Sequence, residues 1–244
     1  MIKPLVIVTS AIESRFGIYK PEQRLEMTLA TIANLRERMP GVVIAISEVS
    51  GAGLQQKYED ALMDSCDYYF DWTKDREVNQ IYTNTGWYDN WDIVKNLTEL
   101  TTFPKVLQAV IDNNIIEEHN IDRVFKMSGR YQLNEKFDID LYKTEACKNK
   151  VVIGKRYKSQ FPFQVTLLSE QYMARLLSWP KELHKPMVTW YAIARDYMIQ
   201  RMAAGGYSDI EHCLFYALPQ DQVQEVDEVG VYGNIAPNGA PIIN

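Results

Sequence analysis

The chain of 244 residues contains only three cysteines, Cys66, Cys147 and Cys213, and they lie far apart. An odd number of scattered cysteines does not form a disulfide framework, and it offers no paired thiolates for a structural zinc site. No apolar run approaches the roughly 20 residues of a membrane-spanning helix, and the apolar stretch in the opening MIKPLVIVTS is too short for a signal peptide. We therefore expect a globular protein with free thiols in the cytoplasm.

Basic residues are scarcer than acidic ones. The chain has 26 Lys and Arg against 32 Asp and Glu, a net charge of −6, and an isoelectric point of about 5.2. A broad nucleic-acid surface needs clustered cations that displace the counterions of phosphates, so this balance disfavours nucleic acid as a partner. Two local clusters stand out, a basic one at 150–158 and an acidic one at 221–228. Each is typical of a solvated face, with a partner site as the alternative.

Two glycine-rich phosphate-binding motifs are absent. The sequence contains neither G-x-G-x-x-G nor G-x-x-x-x-G-K. The first would mark a dinucleotide-binding turn and the second a P-loop, so neither class of site is supported.

An alternation of strand-like and helix-like segments is present in the first half of the chain. Apolar runs predict strands at 5–10 and 42–47, and the helical spacing of leucines predicts a helix at 21–39 between them. Further strands are predicted at 67–72 and 122–129. Strands joined by helices form parallel βαβ units, so we expect an α/β fold whose mostly parallel sheet is flanked by helices.

The second half of the chain is less regular. Strands are predicted at 151–156 and 163–168, and two helical segments at 170–204 are broken near Trp179 and Pro180. A further helix is predicted after an N-cap at Ser208. We expect one domain over 1–244, with a nucleotide-binding half at 1–133 and an acceptor-side half at 134–244 that includes a C-terminal helical segment.

Polar residues follow two of the predicted strands, where ligands of open α/β sheets bind. After the first strand, Thr9 and Ser10 offer hydroxyl groups and Arg15 offers a cation for a phosphate or a base. The alternative is a polar loop whose arginine pairs with a carboxylate.

After the fourth strand, F-K-M-S-G-R-Y places Lys126, Ser128 and Arg130 beside a glycine. Two cations and a hydroxyl group suit a diphosphate, because arginine grips phosphate oxygens in a bidentate manner. The alternative is a turn whose cations pair with nearby glutamates.

Two further places carry candidate chemistry. Asp209, Glu211 and His212 open a helix and include groups that can deprotonate a hydroxyl, with capping and packing roles as the alternative. The irregular segment at 73–102 carries aromatic residues that suit a sugar ring, or that pack against one another in a surface loop. The residues that we assign to an acceptor there are Trp87, Tyr88 and Trp91.

The sequence resembles small glycosyltransferase-like proteins of bacteria and phages in three features that occur in the same order. These are T-S-x-I followed by an arginine and an R-L helix, then F-K-x-S-G-R-Y, and then D-I-E-H. The resemblance covers most of the chain. It implies a Rossmann-like fold of the GT-A type, a nucleotide-sugar donor linked to UDP, GDP or CMP, and an unknown hydroxyl acceptor. If a phage encodes the chain, the host cytoplasm is the expected location.

Most GT-A enzymes hold a divalent ion with Asp-x-Asp at the end of the central strand. That place here belongs to Lys126, Met127 and Ser128, and the literal Asp138-Ile139-Asp140 is predicted to start a helix. The resemblance therefore implies transfer without a metal, with Lys126 and Arg130 neutralising the leaving diphosphate.

Two other functions remain open at the level of the sequence. One is a non-catalytic module that binds a nucleotide or sugar on the same fold. The other is a phage-type enzyme that glycosylates DNA bases, which the acidic balance disfavours.

Overall fold

The computed structural model describes residues 2–51, 53–84, 90–158, 170–206, 208–234 and 239–243. The strands of these ranges are β1 (Pro4–Ser10), β2 (Val43–Glu48), β3 (Tyr68–Asp71), β4 (Arg123–Ser128), β5 (Tyr131–Leu133), β6 (Val151–Lys158), β7 (Glu170–Pro180), β8 (Val223–Val226), β9 (Val231–Asn234) and β10 (Pro241–Ile243). The α-helices are α1 (Pro21–Arg38), α2 (Gln56–Met63), α3 (Arg76–Thr83), α4 (Trp91–Asp112), α5 (Ile115–Glu118), α6 (His184–Ala203) and α7 (Ile210–Ala217).

A mixed sheet in the order β3-β2-β1-β4-β7-β6-β8 forms the centre of the molecule. Strands β3, β2, β1 and β4 run parallel to one another, β7 is antiparallel to both β4 and β6, and β8 is parallel to β6. A small antiparallel sheet, β10-β9-β5, lies beside it. The mostly parallel α/β sheet that the sequence predicts is confirmed.

Helices cover both faces of the large sheet, and β1 shows why its sequence is continuously apolar. Leu5 and Ile7 pack into the core with α3, α4, α6 and α7, whereas Val6 and Val8 pack on the opposite face with α1 and α2. All four side chains are fully buried. A strand buried on both faces needs apolar residues at every position.

Two sequence-based predictions of elements are wrong. Residues 170–180 form β7 rather than a helix, because this strand pairs with β4 and β6. Its residues 176–180 are all buried, so they lack the alternation of buried and exposed positions that marks a strand in a sequence. Helix α7 is capped by Asp209 rather than Ser208, and the Asp209 carboxylate accepts a hydrogen bond from the His212 amide at 2.9 Å.

Other predictions on single elements have different outcomes. The segment at 73–102 holds α3 and the first half of α4, which continues through Pro104. Asp138 caps a 3-10 helix at Ile139–Lys143, as expected for the literal Asp-x-Asp. The predicted strand at 163–168 lies outside the described residues. Within the described ranges, no helix combines the length and apolar character needed to cross a bilayer.

Candidate functional site

A cleft opens at the carboxyl ends of β2, β1 and β4, where an open α/β sheet binds its ligands. We call it the main cleft; it encloses about 760 Å³, open space at its mouth included. The strand register aligns Ser47 with Thr9 and Thr9 with Ser128, so three hydroxyl groups from neighbouring strands stand in a row along its floor. Residues in register on neighbouring parallel strands point to the same face of the sheet, so these short serine and threonine side chains form a polar floor.

The loop that follows β1 is held in place by Arg24, which is only 5% exposed. Its guanidinium donates to three carbonyl oxygens of the loop, those of Ala11, Phe16 and Tyr19, at 3.2, 2.5 and 3.2 Å. Burial lowers the pKa of Arg24, and the charge of Arg130 lowers it further. Sequence analysis did not assign Arg24 to the site, although it stands in the R-L pair of the motif.

The loop that follows β2 is held by the fully buried Glu48. Its Oε1 accepts hydrogen bonds from the amides of Ile12 and Ser50 at 3.2 and 2.9 Å. Burial raises the pKa of Glu48, and these hydrogen bonds oppose the rise. Because the bonds join the loops after β1 and β2, the walls of the main cleft are fixed relative to each other.

Four of the residues predicted to bind a nucleotide, Thr9, Ser10, Ser128 and Arg130, line the main cleft together. Arg15 does not line it. The Arg15 side chain is exposed, and its guanidinium donates to the Tyr82 carbonyl oxygen at 2.7 Å and lies over the Phe16 ring. Arg15 therefore lies on the outer side of the loop after β1, away from the residues that line the main cleft.

Lys126 is buried in an ion pair with Glu99 of α4, with 8% and 17% of the two side chains exposed. Burial opposes the ionised form of Glu99, but Lys126 and Lys95 hold the pKa of this carboxyl below its ordinary value. The Lys126 side chain faces a smaller cavity behind the main cleft, and its charge is already compensated there.

Arg130 stands where the cavities of the site meet. It lines the main cleft and two further cavities described below. Burial lowers the pKa of its guanidinium, and within the described part of the chain its Nε has no hydrogen-bond partner. A buried N–H group without a partner is costly, and an anionic ligand in these cavities would supply one.

Lys95 of α4 is the second cation at this junction, and sequence analysis did not assign it to the site. It lines the same three cavities as Arg130 and is exposed to solvent. Trp91, Lys95 and Glu99 follow one another at intervals of four residues and all face the main cleft. The spacing of four residues is the signal for this helix face in the sequence, whereas the overall pattern of 73–102 predicts an irregular segment.

The outer cavity, about 580 Å³, lies between the start of α4, β6, β7 and the start of α7. Two partly exposed aromatic rings, Trp91 and Tyr157, belong to its walls, each about 40% exposed. Trp91 also lines the main cleft, whereas Trp87 and Tyr88 lie outside the described residues.

Glu211 lines the outer cavity, and its carboxylate lies 3.8 Å from the Arg175 guanidinium of β7. Burial raises the pKa of Glu211 above its ordinary value. Asp209 raises it further, and Lys95 and Arg175 oppose the rise. A carboxyl with a raised pKa, held in a cleft, has the character of a general base.

Asp209 and His212 are engaged with each other. The Asp209 Oδ1 atom lies 2.6 Å from the His212 Nδ1 atom, and His212 is only 6% exposed. Asp209 lines the outer cavity beside Glu211, but His212 lines none of the three cavities. Of the three predicted catalytic residues, the structure brings two to the cavity and turns the third away.

The inner cavity, about 490 Å³ with its mouth, lies behind the main cleft. It shares Ser128 and Glu99 with the main cleft and shares Arg175 and Glu211 with the outer cavity. The three cavities are therefore neighbours that share parts of their walls, and Arg130 and Lys95 line all three.

The end of β4 does not suit a divalent cation. Lys126 and Arg130 flank Ser128, and the two carboxylates of the cavity that Ser128 lines, Glu99 and Glu211, face Lys126 and Arg175. Mg²⁺ and Mn²⁺ take oxygen ligands, carboxylates above all, so this donor set is the wrong one. Within the described ranges, no group of three or more His, Cys, Asp and Glu side chains is arranged to hold a metal.

No family model matches the sequence, and no curated protein matches it. Solved structures do match the fold. The galactosyltransferase LgtC, in complex with donor and acceptor sugar analogues, aligns with a TM-score of 0.52 and 9% identity over 92% of this chain and 73% of its own. An active-site variant of LgtC gives 0.54 and 9% over 92% and 72%.

Core-mannan synthase A (CmsA) from Aspergillus fumigatus, in a form with Mn and GDP, aligns with a TM-score of 0.52 and 8% identity over 96% of this chain and 75% of its own. The fold of the chain is thus the GT-A fold of these glycosyltransferases. That fold agrees with the resemblance found in the sequence.

Proposed function

We propose that the protein is a glycosyltransferase that moves a sugar from a nucleotide-diphosphate sugar to a hydroxyl acceptor. The observation that carries the proposal is the guanidinium of Arg130, whose buried Nε has no hydrogen-bond partner in the described part of the chain, just after the central strand of a GT-A fold. A diphosphate would supply the negative charge that this group lacks.

The shared walls of the three cavities support an order for the substrates. The nucleoside would lie in the main cleft against Thr9 and Ser10, and the diphosphate at the junction against Arg130 and Lys95. The transferred sugar would occupy the inner cavity, and the acceptor the outer cavity beside Trp91. Lys126 would act indirectly, by holding Glu99.

Glu211 is the group best placed for the proton transfer, because it lines both the inner and the outer cavity. In a direct displacement, its carboxylate takes the proton of the acceptor hydroxyl group. The acceptor oxygen then bonds to the anomeric carbon, and the electron pair of the broken C–O bond leaves with the diphosphate. Asp209 would hold the start of α7 and raise the basicity of Glu211.

We further propose that the leaving diphosphate is neutralised by these cations and not by a metal held at β4. Fixed cations that face a developing negative charge stabilise it without reorganisation. This proposal rests on the donor set beside Ser128, which carries cations where carboxylates would be needed.

Calorimetric titration with UDP-, GDP- and CMP-linked sugars, each with and without Mn²⁺, tests the proposal. We expect the UDP or the GDP series to bind, with an affinity that Mn²⁺ leaves unchanged. Binding of the CMP series alone, whose sugars carry a single phosphate, would contradict a diphosphate donor. Absence of binding in all three series would exclude the function, and a requirement for Mn²⁺ would exclude the role given to the cations.

Turnover is tested separately by donor hydrolysis in Glu211→Gln, with Asp196→Asn on the exposed side of α6 as the matched control. We expect the first to lose about 10²–10⁴-fold in rate while it binds donor normally. Donor binding without any turnover in the unaltered protein would instead identify a non-catalytic binding module. Binding to hydroxymethylated DNA in a gel shift would revive the DNA-modifying alternative.

A further inference from the structure

The inner cavity combines a buried hydroxyl group with an aliphatic wall. Tyr191 of α6 is fully buried, and its phenol oxygen has no hydrogen-bond partner within the described ranges. Around it the cavity is lined by the side chains of Leu177, Ile210 and Leu214, all at most 4% exposed. Buried hydroxyl groups are nearly always satisfied, so a phenol that lines a cavity without a partner points to a ligand.

The charges near the phenol restrict what that ligand can be. Burial raises the pKa of Tyr191 well above its ordinary value, and the charges of Glu99 and Glu211 raise it further, so the phenol stays protonated and is a donor. The inner cavity also carries four cations, but Lys126 is paired with Glu99 and Arg175 lies 3.8 Å from Glu211, and the proposed diphosphate takes up Arg130 and Lys95. The cavity therefore leaves a neutral phenol donor beside an apolar wall, which favours a neutral group.

We infer that the transferred sugar carries an acetamido group, which lies in the inner cavity; this inference rests on the proposed function. An acetamido group has a carbonyl oxygen that accepts from the Tyr191 hydroxyl, an N–H that donates to a carboxylate, and a methyl group that packs against Leu177 and Leu214. A plain hydroxyl group in the same place would leave the aliphatic wall without contact.

The test compares donors that differ at C2 alone. UDP-N-acetylglucosamine is titrated against UDP-glucose, and UDP-N-acetylgalactosamine against UDP-galactose, with free UDP as the reference. We expect an acetamido donor to bind at least about tenfold more tightly than its partner. Equal affinities within both pairs, or tighter binding of the plain hexoses, overturn the inference and leave the proposed transferase intact.

A second arm does not depend on the nucleotide base. Saturation-transfer NMR is recorded with free N-acetylglucosamine, N-acetylgalactosamine, glucose and galactose at millimolar concentration. We expect transfer to the acetyl methyl protons of an acetamido sugar and none to the plain hexoses. If none of the four donors binds and no acetamido sugar shows transfer, the inference is overturned.

Tyr191→Phe removes only the hydroxyl group, and Tyr172→Phe is its matched control. Tyr172 is also fully buried, but its hydroxyl group donates to the Gln220 side chain at 3.2 Å, outside the inner cavity. We expect Tyr191→Phe to abolish the preference for acetamido donors without lowering Tm, and Tyr172→Phe to lower Tm without changing the preference. A Tyr191→Phe protein that keeps the preference contradicts the role assigned to this hydroxyl group.

Discussion

The cations of the cleft and those of β6 have opposite surroundings. The basic cluster at 150–158, the densest in the sequence, faces the acidic cluster at 221–228 across the β6–β8 pair: Lys155 meets Asp227 at 2.9 Å, and Arg156 is paired with Glu225. Arg130 and Lys95 are isolated in sequence and meet at the junction of three cavities. The density of charge in a sequence is therefore a poorer guide to a site than the surroundings of each cation in the fold.

Lys126 gives the strictest test of this comparison, because it is a cleft cation that already has a partner. Lys126→Met leaves Glu99 buried without its counter-charge, so we expect the free energy of unfolding to fall by about 3–5 kcal/mol in chemical denaturation. The double variant Lys126→Met/Glu99→Gln should recover most of that loss.

The same double variant separates structure from binding. If Lys126 acts only by holding Glu99, the double variant binds nucleoside diphosphates as the unaltered protein does. A folded double variant that has lost this binding would show that Lys126 contacts the diphosphate directly, as the sequence motif suggests.

Removal of Arg130 is expected to have the next largest effect, in binding rather than in stability. Arg130→Met should weaken binding of the nucleoside diphosphate by roughly 30–100-fold, since a charge-assisted hydrogen-bonding group is worth about 2–3 kcal/mol. Its Tm should not fall, because the buried Nε has no hydrogen-bond partner among the described residues. Calorimetric titration and a thermal melt measure the two quantities. A lower Tm with normal binding would assign Arg130 a structural role.

Part of this site could be predicted from the sequence because it depends on local pattern. The apolar run of β1 and the polar residues behind it placed Thr9 and Ser10 at a strand end, and F-K-M-S-G-R-Y did the same for Ser128 and Arg130. Periodicity and turn chemistry act within a few residues, which is the range that a sequence displays.

The remainder of the site depends on contacts that are distant in sequence. Arg175 lies on β7, which is inserted between β4 and β6. Because the sequence predicts a helix there, it does not show that Arg175 faces the site. The pairing of Lys126 with Glu99 of α4 likewise joins residues on two separate elements. Nothing in the spacing of these residues distinguishes a paired cation from an unpaired one.

Lys95 should have a smaller effect that depends on pH. Its charge lowers the pKa of Glu211 against the raising effect of burial. Because Glu211 acts as a base when ionised, activity falls as the pH drops through this pKa, and Lys95→Ala should move that acidic limb to higher pH. We also expect about a tenfold loss of diphosphate affinity, about 1.4 kcal/mol.

The pH profile of donor hydrolysis in Lys95→Ala is compared with that of Lys105→Ala. Lys105 lies on the same helix but is paired with Asp75 and Glu77, outside the cleft. Identical profiles for the two variants would contradict an action of Lys95 on Glu211.

The smallest effect is expected for the cations of β6, which are paired with carboxylates at the surface. Arg156 is paired with Glu225 and Glu170 but is 38% exposed, so screening by solvent limits the contribution of these pairs. We expect Arg156→Met to change the free energy of unfolding by less than about 1 kcal/mol, with a difference that shrinks further at high salt. Nucleoside-diphosphate affinity should not change. If Arg156→Met weakened that affinity as much as Arg130→Met does, the basic cluster would belong to the binding site. Ion pairing with a carboxylate would then fail to distinguish structural cations from ligand-binding ones.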